Sequence, residues 1–164
     1  MEIRTDFPRR VRLVEHLWIA LPDGTRLAGR LWLPEDAEAD PVPAILEAVP
    51  YRKGDGTAAG DQSQNAYLAG HGYGCLRLDL RGSGDSDGIL DDEYTEQEQQ
   101  DVEDVVAWLA AQPWCTGAVG MTGVSYDATL PNMVATTGVQ GLRTIVPISG
   151  ISSWYDYYLS LIHI

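Results

Sequence analysis

The sequence predicts an α/β fold: a mostly parallel sheet with helices on both faces, entered through an N-terminal antiparallel hairpin. Three observations carry that expectation. Short apolar runs at 44–49, 75–80, 118–122 and 142–148 alternate with helix-compatible stretches. A pair of strand-like segments around Pro22-Asp23-Gly24 precedes them. The segment 95–109 has an apolar period that only a helix satisfies.

The hairpin comes first. Val14–Ala20 and Arg26–Leu33 are rich in strand-forming residues, and Pro22-Asp23-Gly24 supplies the turn between them. A proline-flanked loop over 34–43 leads to the apolar strand Ala44–Val49, which Pro50 ends. Residues 60–69 are polar and helix-compatible, and they stop at Gly70-His71-Gly72. Cys75–Leu80 is the next strand, followed by the turn-rich run Arg81-Gly-Ser-Gly-Asp-Ser-Asp-Gly88. Thr95 and Glu98 then have the spacing of a capping box. Val102, Val105, Val106 and Leu109 form one stripe, and Pro113 closes the helix. Ala118–Thr122 is a short strand that runs into Gly123-Val-Ser-Tyr-Asp-Ala128 and a helix to about Thr136, and Leu142–Ile148 is a further strand. Right-handed crossovers on this order give a parallel sheet whose site lies at the carboxyl ends of the strands.

The 164 residues suffice for one domain with a real core, with 45% apolar and 21% charged residues. A net charge of −13 argues against nucleic acid or an anionic membrane as a partner. No stretch approaches the roughly 18 apolar residues of a membrane span. The first ten residues do not read as a secretory signal. Cys75 and Cys115 lack a metal-type spacing, so they read as free thiols of a reducing compartment. A cytoplasmic location is expected, with no cofactor and no metal, and self-association is left open. Residues 91–104 hold eight acids and no base, read as a solvated face plus favourable charge at a helix N-terminus.

Gly123-Val124-Ser125-Tyr126 is where chemistry is expected. A serine at a strand-to-helix turn has its hydroxyl pushed out of the sheet. The helix N-terminus favours developing negative charge, and the backbone N–H of Tyr126 can donate to an oxyanion. Gly123 allows close backbone packing at the turn. The competing explanation is an ordinary helix-capping serine. Gly82 and Gly84 invite comparison with a dinucleotide loop. Asp85 and Asp87 would repel a pyrophosphate, however, so that loop reads as structural, braced by Asp79 and Arg81.

Several segments together resemble the cocaine esterase-like (CocE/NonD) and X-prolyl dipeptidyl-peptidase (S15) family of α/β-hydrolases. They are Gly123-Val-Ser-Tyr126, Pro50-Tyr51-Arg52-Lys53, His71-Gly72-Tyr73, Asp79–Gly88 and Ala110-Ala-Gln-Pro-Trp-Cys115. The stretches 135–142 and 150–158 look more like the X-prolyl peptidase branch. The resemblance spans roughly 12–158, and Ala128 departs from it, since a glycine is usual there. It implies a serine hydrolase that cleaves an ester or amide bond, in a small ester, an acylated antibiotic side chain or a peptide with proline second. Ser125 would be the nucleophile, and Tyr51 would offer its hydroxyl to the oxyanion hole beside the Tyr126 N–H.

A serine nucleophile needs a base and an orienting acid, which in such folds follow it in the order Asp/Glu, then His. His16 lies in the hairpin. His71 precedes a strand, which places it at the sheet's other end. Asp127 is too close to the elbow, Asp156 has no support, and His163 stands next to last. No base and no acid are assigned. Residues 1–158 read as the N-terminal part of a hydrolase catalytic domain, truncated after the elbow region. Residues 159–164 read as a non-native tail. The rival expectation is an incomplete, inactive fragment that lacks the triad Asp and His.

Overall fold

Nine elements follow one another in the computed structural model, which describes residues 6–56, 58–151, 153 and 155. They are β1 (Val11–Ala20), β2 (Arg26–Pro34), β3 (Val42–Val49), α1 (Ala58–Gly70), β4 (Gly74–Asp79), α2 (Glu96–Ala110), β5 (Cys115–Val124), α3 (Tyr126–Ala135) and β6 (Leu142–Ile148). One six-stranded sheet has the order β1-β2-β4-β3-β5-β6. β1 and β2 pair antiparallel, as do β2 and β4, while β4, β3, β5 and β6 run parallel. The expected α/β architecture with an N-terminal hairpin is therefore the one observed.

The hairpin turn works as its residues suggest. The Asp23 carboxylate accepts from the Thr25 N–H at 2.9 Å, and the Leu21 N–H donates to the Thr25 carbonyl at 2.8 Å. β1 starts earlier than expected because a register irregularity between Val14 and Leu17 breaks its alternation. β3 also starts earlier, at Val42. Pro43 sits where the pairing with β5 shifts register, the kind of position a strand can give a proline.

Helices cover both faces. On one side Leu46, Leu76 and Leu78 of the sheet pack with Val102, Val105, Val106 and Leu109 of α2 and with Leu130 and Val134 of α3. On the other, Trp32 and Cys75 pack with Ala69, and Ala66, Leu68 and Ile45 lie against them. All six residues of β4 are buried. Cys75 and Cys115 are free and buried. No helix among the described residues is long and apolar enough to cross a membrane.

Thr95 caps α2, with its hydroxyl accepting from the Glu98 N–H at 3.1 Å. The Glu98 carboxylate reaches back to the N–H of Thr95, as a capping box requires, and also to that of Tyr94 at 2.7 Å. One local expectation needs correction: the acidic stretch is not wholly solvated, because Glu98 and Asp101 are buried. Both extend the apolar stripe backwards, four residues before Val102 and Val105, onto the face α2 packs inward.

Candidate active site

β5 ends at Val124 and α3 begins at Tyr126, so Ser125 alone makes the turn. Its backbone is held at φ 66°, ψ −114°, a region that costs a non-glycine residue about 1–3 kcal/mol and persists only where the surroundings impose it. Those surroundings are visible. The Ser125 N–H donates to the Ile148 carbonyl at 2.9 Å, and the Ser125 carbonyl accepts from the Ala128 N–H at 3.1 Å. The Ser125 side chain makes no capping hydrogen bond. Thr95 is the contrast within the same chain: it is extended, at φ −73°, ψ 160°, and its side chain does cap. Ser125 is therefore not acting as a capping serine.

The turn is tight enough to require glycine before it. A β-carbon on Gly123 would stand 2.1 Å from the Asp127 carbonyl oxygen. Ala128 is accommodated because its partner is small: a β-carbon on Gly150 would lie 3.2 Å from the Ala128 methyl and 2.9 Å from its carbonyl oxygen. The methyl that departs from the family pattern thus faces a residue with no side chain.

Tyr51 follows Pro50 at the carboxyl end of β3, next to β5 in the sheet. Its phenol oxygen accepts from the Tyr126 N–H at 3.1 Å, leaving the phenol proton available to donate. The two rings meet edge to face, with centroids 6.4 Å apart. The Tyr51 hydroxyl and the Tyr126 N–H, singled out separately from the sequence, are brought together one residue from Ser125.

Sequence reasoning missed a second layer around Tyr126. Tyr94 stacks on its ring at 4.2 Å, and Glu98 accepts its hydroxyl at 3.1 Å. Burial is the main reason the Tyr126 phenol is pushed well above its ordinary value, with the Glu98 charge adding to it. Burial also raises the Glu98 carboxyl, against the hydrogen bonds it accepts from Tyr94, Tyr126 and Thr95. The apolar stripe carried one turn back along α2 would have flagged Glu98.

Behind the elbow Asp127 is buried, with one carboxylate oxygen unpartnered. Burial and the nearby Glu47 carboxyl push it from 3.8 up to about 7. Glu47 pairs with the buried Arg77, whose Nε lies 2.9 Å from Asp61. Around the site the Gly82–Gly84 loop is braced as expected. Arg81 bonds Asp101 at 2.6 and 2.7 Å, Asp23 at 2.8 Å and the Thr25 hydroxyl at 2.7 Å. Asp79 accepts from the Lys53 N–H at 2.5 Å and the Asp85 N–H at 3.0 Å. Asp85 and Asp87, the charges set against a pyrophosphate, are paired with Lys53 and Arg26.

No described histidine hydrogen-bonds to Ser125. His16 on β1 lies 3.8 Å from Asp85, and His71 follows α1 at the amino end of β4, its Nδ1 2.7 Å from the Tyr67 carbonyl. Asp156, His163 and the tail 159–164 lie outside the described residues. Among the described residues no group of three or more His, Cys, Asp or Glu is placed to hold a metal.

Residues 23–161 match the X-Pro dipeptidyl-peptidase (S15) family. The "Putative Xaa-Pro dipeptidyl-peptidase" of Bacillus cereus is 40% identical over 149 residues, covering 71% of this chain and 26% of that protein. The cocaine esterase of a Rhodococcus species is 36% identical over 148 residues, covering 87% of this chain and 24% of that protein. Among solved structures, a CocE/NonD family hydrolase from Staphylococcus aureus superposes with a TM-score of 0.77 at 24% identity, over 88% of this chain and 28% of that one. The chain spans about a quarter of the length of the curated relatives it matches. Its match over most of its length, together with these relatives, makes it a member of the X-Pro dipeptidyl-peptidase (S15) family of hydrolases.

Proposed function

We propose that Ser125 is the nucleophile of an acyl transfer to water that cleaves an ester or amide bond. Its oxygen attacks the substrate carbonyl carbon, the hydroxyl proton passes to a base, and the carbonyl oxygen becomes the oxyanion of a tetrahedral intermediate. The Tyr51 O–H and the Tyr126 N–H are the donors that receive that charge. One observation carries the reading. An uncapped serine is held at positive φ between a strand and a helix, and the N–H of the next residue, Tyr126, is bonded to the Tyr51 hydroxyl oxygen at 3.1 Å. Family membership supports it, since the relatives include proteins named for X-Pro dipeptide release and for ester hydrolysis. The substrate is accordingly a small ester, an acylated antibiotic side chain or a peptide with proline second. The test compares hydrolysis of an activated ester with that of an Xaa-Pro anilide by the full-length protein and its Ser125→Ala variant. Loss of both activities in the variant supports the reading, and retention of either removes Ser125 from the chemistry.

A second reading has its own observation. No described histidine hydrogen-bonds to Ser125, and on this reading the described residues supply the serine with no base. Turnover by the isolated chain at the rate of the full-length protein would rule that out.

A further inference from the structure

Tyr126 has two separate duties in this site. Its backbone N–H, bonded here to the Tyr51 oxygen, is the proposed oxyanion donor, and its side chain is anchored in the protein. The anchor has three parts, none required for forming the elbow. Tyr94 lies flat on the Tyr126 ring at 4.2 Å with the planes 20° apart. Tyr51 meets it edge-on at 75°. Glu98 Oε2 accepts the Tyr126 hydroxyl at 3.1 Å. The same oxygen accepts the Tyr94 N–H at 2.7 Å, with Tyr94 held at φ 58°. One carboxylate oxygen therefore holds the Tyr126 hydroxyl and the Tyr94 backbone together. Its other oxygen is buried without a partner, an expensive arrangement for a residue on the first turn of a helix. A capping box needs the Glu98 carboxylate only to reach back to the cap, and a fully exposed one would serve.

We infer that Glu98 is a positioning residue for the oxyanion hole: by holding the Tyr126 hydroxyl and the Tyr94 backbone together it fixes where the Tyr126 N–H and the Tyr51 hydroxyl point. The inference rests on the reading of Ser125 as nucleophile. Its logic is geometric. Tyr126 directly follows the nucleophile, so a rotation of its side chain within the ring stack is transmitted to the amide that must meet the oxyanion, and to the Tyr51 hydroxyl bonded to that amide. Misplacement of a catalytic group by about 1 Å costs on the order of a hundredfold in rate. Groups that only hold the ground-state substrate would alter KM instead.

The test uses the full-length protein, an activated ester and steady-state kinetics, with fluorophosphonate labelling of Ser125 as a control. Glu98→Ala should lower kcat by about tenfold to a hundredfold with KM changed by less than about threefold. Tyr126→Phe, which keeps the backbone N–H and removes only the hydroxyl, should give a loss of similar size. The double variant Glu98→Ala, Tyr126→Phe should lose clearly less than the product of the two single losses, because both remove the Glu98–Tyr126 contact while only Glu98→Ala also frees the Tyr94 N–H. Glu98→Gln should recover most of the Glu98→Ala loss, since its amide can still bond the Tyr94 N–H and the Tyr126 oxygen. Should Glu98→Ala fail to fold, the Tyr126→Phe and Glu98→Gln kinetics decide alone. A Tyr126→Phe kcat within about twofold of the parent overturns the inference while leaving Ser125 untouched. Multiplicative losses in the double variant overturn it as well. A parent protein that hydrolyses the ester but takes no label on Ser125 sinks the nucleophile assignment itself, and this inference with it.

Discussion

Replacing Asp127 with asparagine should change how the stability of this fold responds to pH. Asp127 lies in the first turn of α3, buried, against the Glu47 carboxyl, which in turn pairs with Arg77. Arg77 also serves Asp61, so its guanidinium faces two carboxyl groups, while Asp127 lies against Glu47. Burial, first, and Glu47, second, raise the Asp127 carboxyl from 3.8 to about 7. A carboxyl raised on folding binds its proton more tightly in the native state. Its contribution is therefore fully present below the unfolded value and is lost as pH rises towards about 7. Between pH 5.5 and 8 the unfolded chain is already ionised there. The titrated interval is then about 1.5 units, or about 2 kcal/mol. For a domain of this size that corresponds to roughly 4–8 °C in Tm. An asparagine side chain cannot ionise, so the difference in Tm between Asp127→Asn and the parent should grow by that amount from pH 5.5 to 8. Calorimetry or thermal circular dichroism at four pH values measures it. A difference constant within about 1 °C across the interval would refute the raised Asp127 carboxyl.

Three further predictions concern the same elements. Tyr51→Phe in the full-length protein should lower kcat for an activated ester by about 100- to 1000-fold with the fold intact, and activity within twofold of the parent would remove its hydroxyl from the oxyanion hole. Gly123→Ala places a β-carbon 2.1 Å from the Asp127 carbonyl, so it should destabilise the domain by at least about 3 kcal/mol, read as a shift of the urea midpoint. Cys75, buried and with its thiol pushed up to about 12 by burial and by Glu47, should resist a disulfide reagent at pH 8 until urea unfolds the chain.

Most of the scaffold was legible because its signals are local. The stripe of Val102, Val105, Val106 and Leu109, the turn at Asp23-Gly24 and the apolar core strands each carry their own period or turn chemistry. Boundaries slipped where tertiary pairing overrides local preference. Pro43 reads as a strand breaker but sits at a register shift, and β5 continues to Val124 because β6 pairs with it to the end. Ser125 and Tyr126 were legible as a strand-to-helix turn, and Tyr51 only through family resemblance. Nothing local to Tyr51 says that its hydroxyl crosses to a neighbouring strand's end. The carboxyls were the blind spot. Glu98, Asp101 and Asp127 look like helix-surface acids in sequence, and only the packing partners Tyr126, Arg81 and Glu47 show why each is buried.

Every step proposed for this site passes through Ser125 as the nucleophile. The most direct test of that role is to treat the full-length protein with a fluorophosphonate and map the adduct by peptide mass spectrometry, with Ser125→Ala in parallel. The adduct should fall on the peptide carrying Gly123-Val124-Ser125-Tyr126 at one equivalent and vanish in the variant, together with hydrolysis. An adduct on any other residue, or hydrolysis that survives Ser125→Ala, would contradict it.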